Sequence, residues 1–121
     1  MSKNICKISR WQQLKTVLNN LDATTFKQKL EVGNAILIDV RTSDEFAAGH
    51  IEGAIHLDYF GDDFLEQLEA LDTSKNILVY CRSGRRSIRV CTLLKNSSFE
   101  EDAIFNLNGG VLEWLETFGG Y

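Results

Sequence analysis

Two stretches of the chain are apolar almost without interruption, Ala35-Ile36-Leu37-Ile38-Asp39-Val40 and Ile77-Leu78-Val79-Tyr80. Both are rich in β-branched side chains and lack the polar alternation of a half-exposed strand. They therefore predict strands buried on both faces of a parallel sheet. Shorter runs, Ala54-Ile55-His56-Leu57 and Ala103-Ile104-Phe105-Asn106-Leu107, predict two further strands. Between them the apolar residues fall at helical spacing. Trp11, Leu14, Val17, Leu18 and Leu21 predict an amphipathic helix over 10–19 that gives way to a strand near Asn20. Thr24 or Thr25 can cap a helix over 26–31, which Gly33 ends in the left-handed conformation. Ser43 opens a capping pattern for a short helix over 44–48 before Gly49. Asp62 or Asp63 caps a helix with Phe64, Leu65, Leu68 and Leu71 on one face. Ile88, Val90, Cys91, Leu93 and Leu94 give the apolar side of a helix over 86–95, and Leu112, Trp114 and Leu115 that of a final helix over 111–118, after the turn Asn108-Gly109-Gly110.

Alternation of buried strands with helices predicts a three-layer α/β fold, a mostly parallel central sheet with helices on both faces. The 121 residues suit one domain, here 20–121 preceded by an extension over 1–19. In such sheets ligands bind beyond the carboxyl ends of the strands, and Cys81 directly follows one of them.

Charge sharpens this. The net charge of −4 argues against nucleic-acid or anionic-membrane partners, and no apolar run is long enough to span a bilayer. Yet from Thr73 to Phe99 there is no Asp or Glu, while Lys75, Arg82, Arg85, Arg86, Arg89 and Lys95 fall there. A solvated basic helix face accounts for Arg89 and Lys95, but not for three arginines within Cys81-Arg82-Ser83-Gly84-Arg85-Arg86. That loop fits a small anion. A loop feeding a helix start turns backbone N–H groups inward, and with the helix dipole and the arginines this favours a thiolate over a thiol. Gly84 allows the tight bend. Cys91 reads as a buried small hydrophobe, and Cys6 as an ordinary thiol near the amino terminus. Three scattered cysteines form neither a disulfide framework nor a zinc pattern. With no export signal at the start, free thiols predict a cytoplasmic setting.

Cys81-Arg82-Ser83-Gly84-Arg85-Arg86-Ser87 resembles the active-site loop of rhodanese sulfurtransferases. Ile38-Asp39-Val40-Arg41 with Glu45-Phe46, Gly49-His50-Ile51 and Gly53-Ala54-Ile55 resembles that family's amino-terminal signature. Leu107-Asn108-Gly109-Gly110 with Trp114 resembles its carboxyl-terminal one. The resemblance covers about residues 20–121. One departure is Glu52, where the family often has proline; it bears on a turn. The resemblance implies a transferase without cofactor or metal, in which Cys81 takes the outer sulfur of a small anionic donor such as thiosulfate, carries it as a persulfide, and passes it to cyanide, a thiol or a protein acceptor. Arg82, Ser83, Gly84, Arg85 and Arg86 would hold the donor and the persulfide, Arg86 foremost. No general base is needed, since a thiolate attacking sulfur removes no proton.

Asp39 and Arg41 are expected to support the site by tying loops together, with Glu45 as a partner for Arg41. His50 and His56 are expected to be structural hydrogen-bonding groups, and the acidic residues elsewhere a solvated surface. Three alternatives stand beside the enzyme: a persulfide carrier, a regulatory rhodanese-like module, and a cysteine phosphatase or arsenate reductase. The last needs five residues between cysteine and arginine, and here Arg86 follows after four.

Overall fold

The computed structural model describes residues 19–97 and 99–121. Most of the predicted helix over 10–19, and Cys6, lie outside them; Asn19 itself opens a strand. The elements are β1 (Asn19–Leu21), α1 (Ala23–Val32), β2 (Ala35–Asp39), α2 (Ser43–Ala48), β3 (Ile55–His56), α3 (Phe64–Glu69), β4 (Asn76–Tyr80), α4 (Arg85–Lys95), a 3₁₀ turn (Glu101–Ala103), β5 (Ile104–Leu107) and α5 (Gly110–Phe118). Among the described residues no helix is long and apolar enough to cross a membrane.

The five strands lie in the order β1-β5-β4-β2-β3, with every pairing parallel. The α/β architecture read from the sequence is the one observed. Side-chain alternation along the two central strands divides the core. Ile38, Ile77 and Val79 pack with Leu57, Phe64, Leu68, Val90, Cys91 and Leu94 beneath α3 and α4. Leu37, Leu78 and Tyr80 pack with Ala23, Phe26, Ile51, Val111 and Trp114 beneath α1 and α5. A strand enclosed on both faces has no polar side to show, which is why β2 and β4 read as unbroken apolar runs.

Several local expectations are corrected. Asp22, not Thr24 or Thr25, caps α1, its carboxylate accepting from the Thr25 N–H at 2.8 Å. Gly33 ends that helix at φ 89°, but with an extended ψ, and Asn34 after it also has a positive φ, 54°. Thr42, not Ser43, caps α2, in a reciprocal capping box with Glu45. Asp63 occupies the cap position of α3, but its carboxylate accepts no hydrogen bond from the helix N–H groups. Leu65, Leu93 and Leu112 face solvent although each lies on a helix with an apolar side. Cys91 is buried as expected, and burial, with a smaller contribution from Cys81, pushes its thiol far above the ordinary range.

The chain leaves β2 toward β3 on one side and leaves β4 toward β5 on the other. The switch in direction therefore falls between β2 and β4, and their carboxyl ends open a crevice there. Arg41 follows β2, and Cys81 follows β4.

Candidate active site

The order of residues after β4 leaves the Cys81 side chain little freedom. Tyr80 is locked in the sheet in register with Asp39, and its carbonyl accepts the Val40 N–H at 3.1 Å. Gly84 then takes the left-handed conformation at φ 97° and begins α4. The chain thereby folds back over the sulfur. Cys81 Sγ accepts the Gly84 N–H at 3.1 Å, the Ser87 N–H at 3.4 Å and the Ser87 hydroxyl at 3.4 Å. The Ser87 hydroxyl has a second acceptor in the Gly84 carbonyl at 3.2 Å, so its single proton can turn to whichever oxygen or sulfur is the more negative. Cys81 itself is 1% exposed. Three donors converging on one sulfur at a helix start form a cradle for an anion.

A second loop braces the first. The Val111 N–H donates to the Cys81 carbonyl at 2.8 Å, and the Leu112 N–H to the Arg82 carbonyl at 3.2 Å. The Glu113 carboxylate accepts from Gly109 N–H at 2.9 Å and from Ala23 N–H at 2.7 Å, fixing the turn before α5 to the start of α1. The loops meet so closely that a Cβ at Gly84 would collide with the Asn108 carbonyl. Gly84→Ala is accordingly expected to lose about 2–4 kcal/mol through positive φ and overpacking together. Urea denaturation of the purified variant measures this, and a loss below about 0.5 kcal/mol would contradict the close approach.

The arginines divide into two kinds. Arg82 and Arg85 are exposed, as is Ser83, whereas Arg86 is half-buried. The Arg86 guanidinium reaches across to α2, with Nη1 at 3.3 Å from Glu45 Oε1 and Nη2 at 3.5 Å from Oε2, and lies 5.9 Å from the Phe60 ring centroid. Phe60 is 66% exposed beside it.

Glu45 is thus not the partner of Arg41. Arg41 pairs with Asp39 two residues away: Nε lies 3.0 Å from both carboxylate oxygens, and Nη2 lies 2.7 Å from Oδ2. The same Nη2 donates to the Gly49 carbonyl at 2.7 Å, so the pair does tie loops together. Both residues are buried. Burial alone would weaken the hold of Arg41 on its proton, but the Asp39 carboxylate outweighs it and keeps the guanidinium firmly charged. Burial, then the Asp39 charge, raise the Tyr80 phenol above its ordinary range; its oxygen accepts the Ile51 N–H at 3.1 Å.

Both histidines make the hydrogen bonds expected of them. His50 Nδ1 meets the Phe46 carbonyl at 3.0 Å, and His56 Nε2 meets the Arg41 carbonyl at 2.8 Å, each ring stacked on Phe46. The sequence reading missed Ser87 as a donor to the sulfur. Its signal was available: it lies in the first turn of the helix that the loop feeds, where side chains lean back toward the helix start.

The family model for the rhodanese-like domain matches residues 22–117. A putative sulfurtransferase of Bacillus subtilis, YtwF, is 35% identical over 98 residues, covering 80% of this chain and 90% of its own. Thiosulfate sulfurtransferase 18 of Arabidopsis thaliana is 32% identical over 128 residues, covering 96% of this chain and 89% of its own. Among solved structures, the rhodanese-like domain of the Alr3790 protein from Anabaena sp. superposes with a TM-score of 0.69 at 28% identity, covering 84% of this chain and 75% of the other.

Proposed function

The chain belongs to the rhodanese-like domain family, and we propose that it is a sulfurtransferase that moves a sulfane sulfur from thiosulfate to a nucleophilic acceptor through a persulfide on Cys81. One observation carries this reading: a nearly enclosed sulfur that accepts three hydrogen bonds from its own loop. The names of the B. subtilis and Arabidopsis relatives support it.

The thiolate attacks the outer sulfur of thiosulfate. A bond forms from Cys81 Sγ to that sulfur, the S–S bond of the donor breaks, and sulfite departs with the electron pair. The terminal persulfide sulfur inherits the negative charge, which the positive end of α4 and the N–H groups around Cys81 Sγ favour. Cyanide or an acceptor thiolate then attacks the outer sulfur and returns Cys81 as a thiolate. No proton is transferred to or from the attacking sulfur, in keeping with the structural roles of His50 and His56.

In this scheme Arg86 meets the sulfonate oxygens of the donor, with Arg82 and Arg85 drawing anions to the loop. Asp39 and Arg41 support the site from the neighbouring strand. Arg86→Ala is expected to lower kcat/KM for thiosulfate about tenfold or more, because a charge-assisted contact to the donor is lost. The half-exposed Glu45 partnership makes the stability cost small, at most about 1 kcal/mol. Steady-state thiocyanate formation checks this; a rate constant at limiting thiosulfate equal to that of the wild type would remove Arg86 from the donor site.

A further inference from the structure

The scheme above leaves Glu45 without a part, although its carboxylate faces the arginine that the donor would use. Two features of that contact stand out. It is long for an ion pair, 3.3 and 3.5 Å where strong charge-assisted bonds are about 2.7–2.9 Å, and the side chains are 24% and 27% exposed. The arginine end is therefore easily displaced. The carboxylate end is not. Glu45 Oε1 accepts the Thr42 N–H at 3.0 Å and the Thr42 hydroxyl at 3.1 Å, and the Thr42 oxygen accepts the Glu45 N–H at 3.3 Å. This capping box fixes the charge at the start of α2 wherever Arg86 turns. Burial opposes the ionised carboxylate, but Thr42 and Arg86 together hold Glu45 below the usual carboxylate range, so the charge persists at neutral pH.

We propose that Glu45 is a built-in competitor for the anionic donor: in the free protein its carboxylate engages Arg86, and a donor anion must take the guanidinium from it. The inference rests on the reading that the donor's oxygens are met by Arg86. A carboxylate and a sulfonate present similar oxygen pairs to the guanidinium fork, so one displaces the other without new geometry. Because Glu45 stays where it is, its charge continues to repel the arriving anion. Glu45 thereby sets the affinity for the donor while touching neither the reacting sulfur nor the cradle.

The test substitutes Glu45→Gln, since glutamine at this position of a capping box keeps the hydrogen bond to Thr42 and removes only the charge. Inorganic sulfate is titrated into the wild type and the variant at constant ionic strength, followed by the amide resonances of Gly84 and Ser87. The variant is expected to bind sulfate roughly two- to fivefold more tightly, the scale of a partly exposed ion pair. The thiosulfate KM should fall by a similar factor with kcat following the wild type, a split that a purely structural role would not produce. In the wild type, the Glu45 carboxylate carbon resonance should move as sulfate binds and Arg86 leaves it. Unchanged or weaker sulfate binding by a folded variant would overturn the proposal. So would a stationary Glu45 resonance while the Gly84 and Ser87 amides shift, a measurement that needs no variant. Sulfate binding requires no sulfur transfer, so a Cys81 that takes no sulfur would defeat the proposed activity while this titration still decided the role of Glu45.

Discussion

Serine in place of Cys81 is expected to abolish turnover with thiosulfate, a loss of at least about 10⁴-fold, while the protein remains folded. The hydroxyl fits the space and finds the same donors from Gly84 and Ser87. What it lacks is chemistry. An alcohol is not ionised at neutral pH, and it cannot form the sulfur–sulfur bond through which the transferred atom must pass. Thiocyanate formation and urea denaturation, measured on one preparation, separate the two effects. Residual turnover above about one part in a thousand would show another nucleophile at work. Cys91 is a poor candidate for that part, being buried with its thiol held in the neutral form.

Asp39→Ala is expected to destabilise the protein by about 3–5 kcal/mol, the largest effect on the fold of any substitution near the site. Arg41 is 4% exposed and donates most of its side-chain hydrogen bonds to that one carboxylate. The alanine variant leaves a guanidinium enclosed without its counterion and also removes the acceptor of the Arg41 N–H at 2.9 Å. Against a typical total stability of about 5–15 kcal/mol this is a large share. Removing both charges, as in Asp39→Leu/Arg41→Met, should cost less than the single change, because the penalty belongs to the unpaired charge. Denaturant midpoints for the single and double variants check the order. A loss below about 1 kcal/mol for Asp39→Ala would mean that Arg41 finds another partner or reaches water.

The sequence made the central strands and the cysteine loop legible because there one local feature determines one structural outcome. Enclosure on both faces demands an unbroken apolar run, and a tight loop before a helix demands glycine. The caps were less legible. Thr42 and Glu45 stand in the spacing of a capping box, but Ser43 offers the same hydroxyl one residue later, and only the backbone conformation chooses between them. Leu65, Leu93 and Leu112 show a different limit: a helix with one apolar side does not need every leucine buried, and these three border that side and meet solvent. The pairing of Glu45 with Arg86 spans 41 positions and depends on how α2 and α4 sit over the crevice between β2 and β4. Local spacing pointed instead to Arg41, four residues from Glu45, whose nearer carboxylate at Asp39 claims it.

The most direct test of the central claim is the intact mass of the protein after thiosulfate and then after cyanide, compared among the wild type, Cys81→Ser and the Cys6→Ser/Cys91→Ser double variant. One sulfur atom is expected to add to the wild type and to the double variant and to leave both on treatment with cyanide, while Cys81→Ser gains nothing. A cyanide-removable sulfur on Cys81→Ser, or none on the wild type, would contradict sulfur transfer through a Cys81 persulfide.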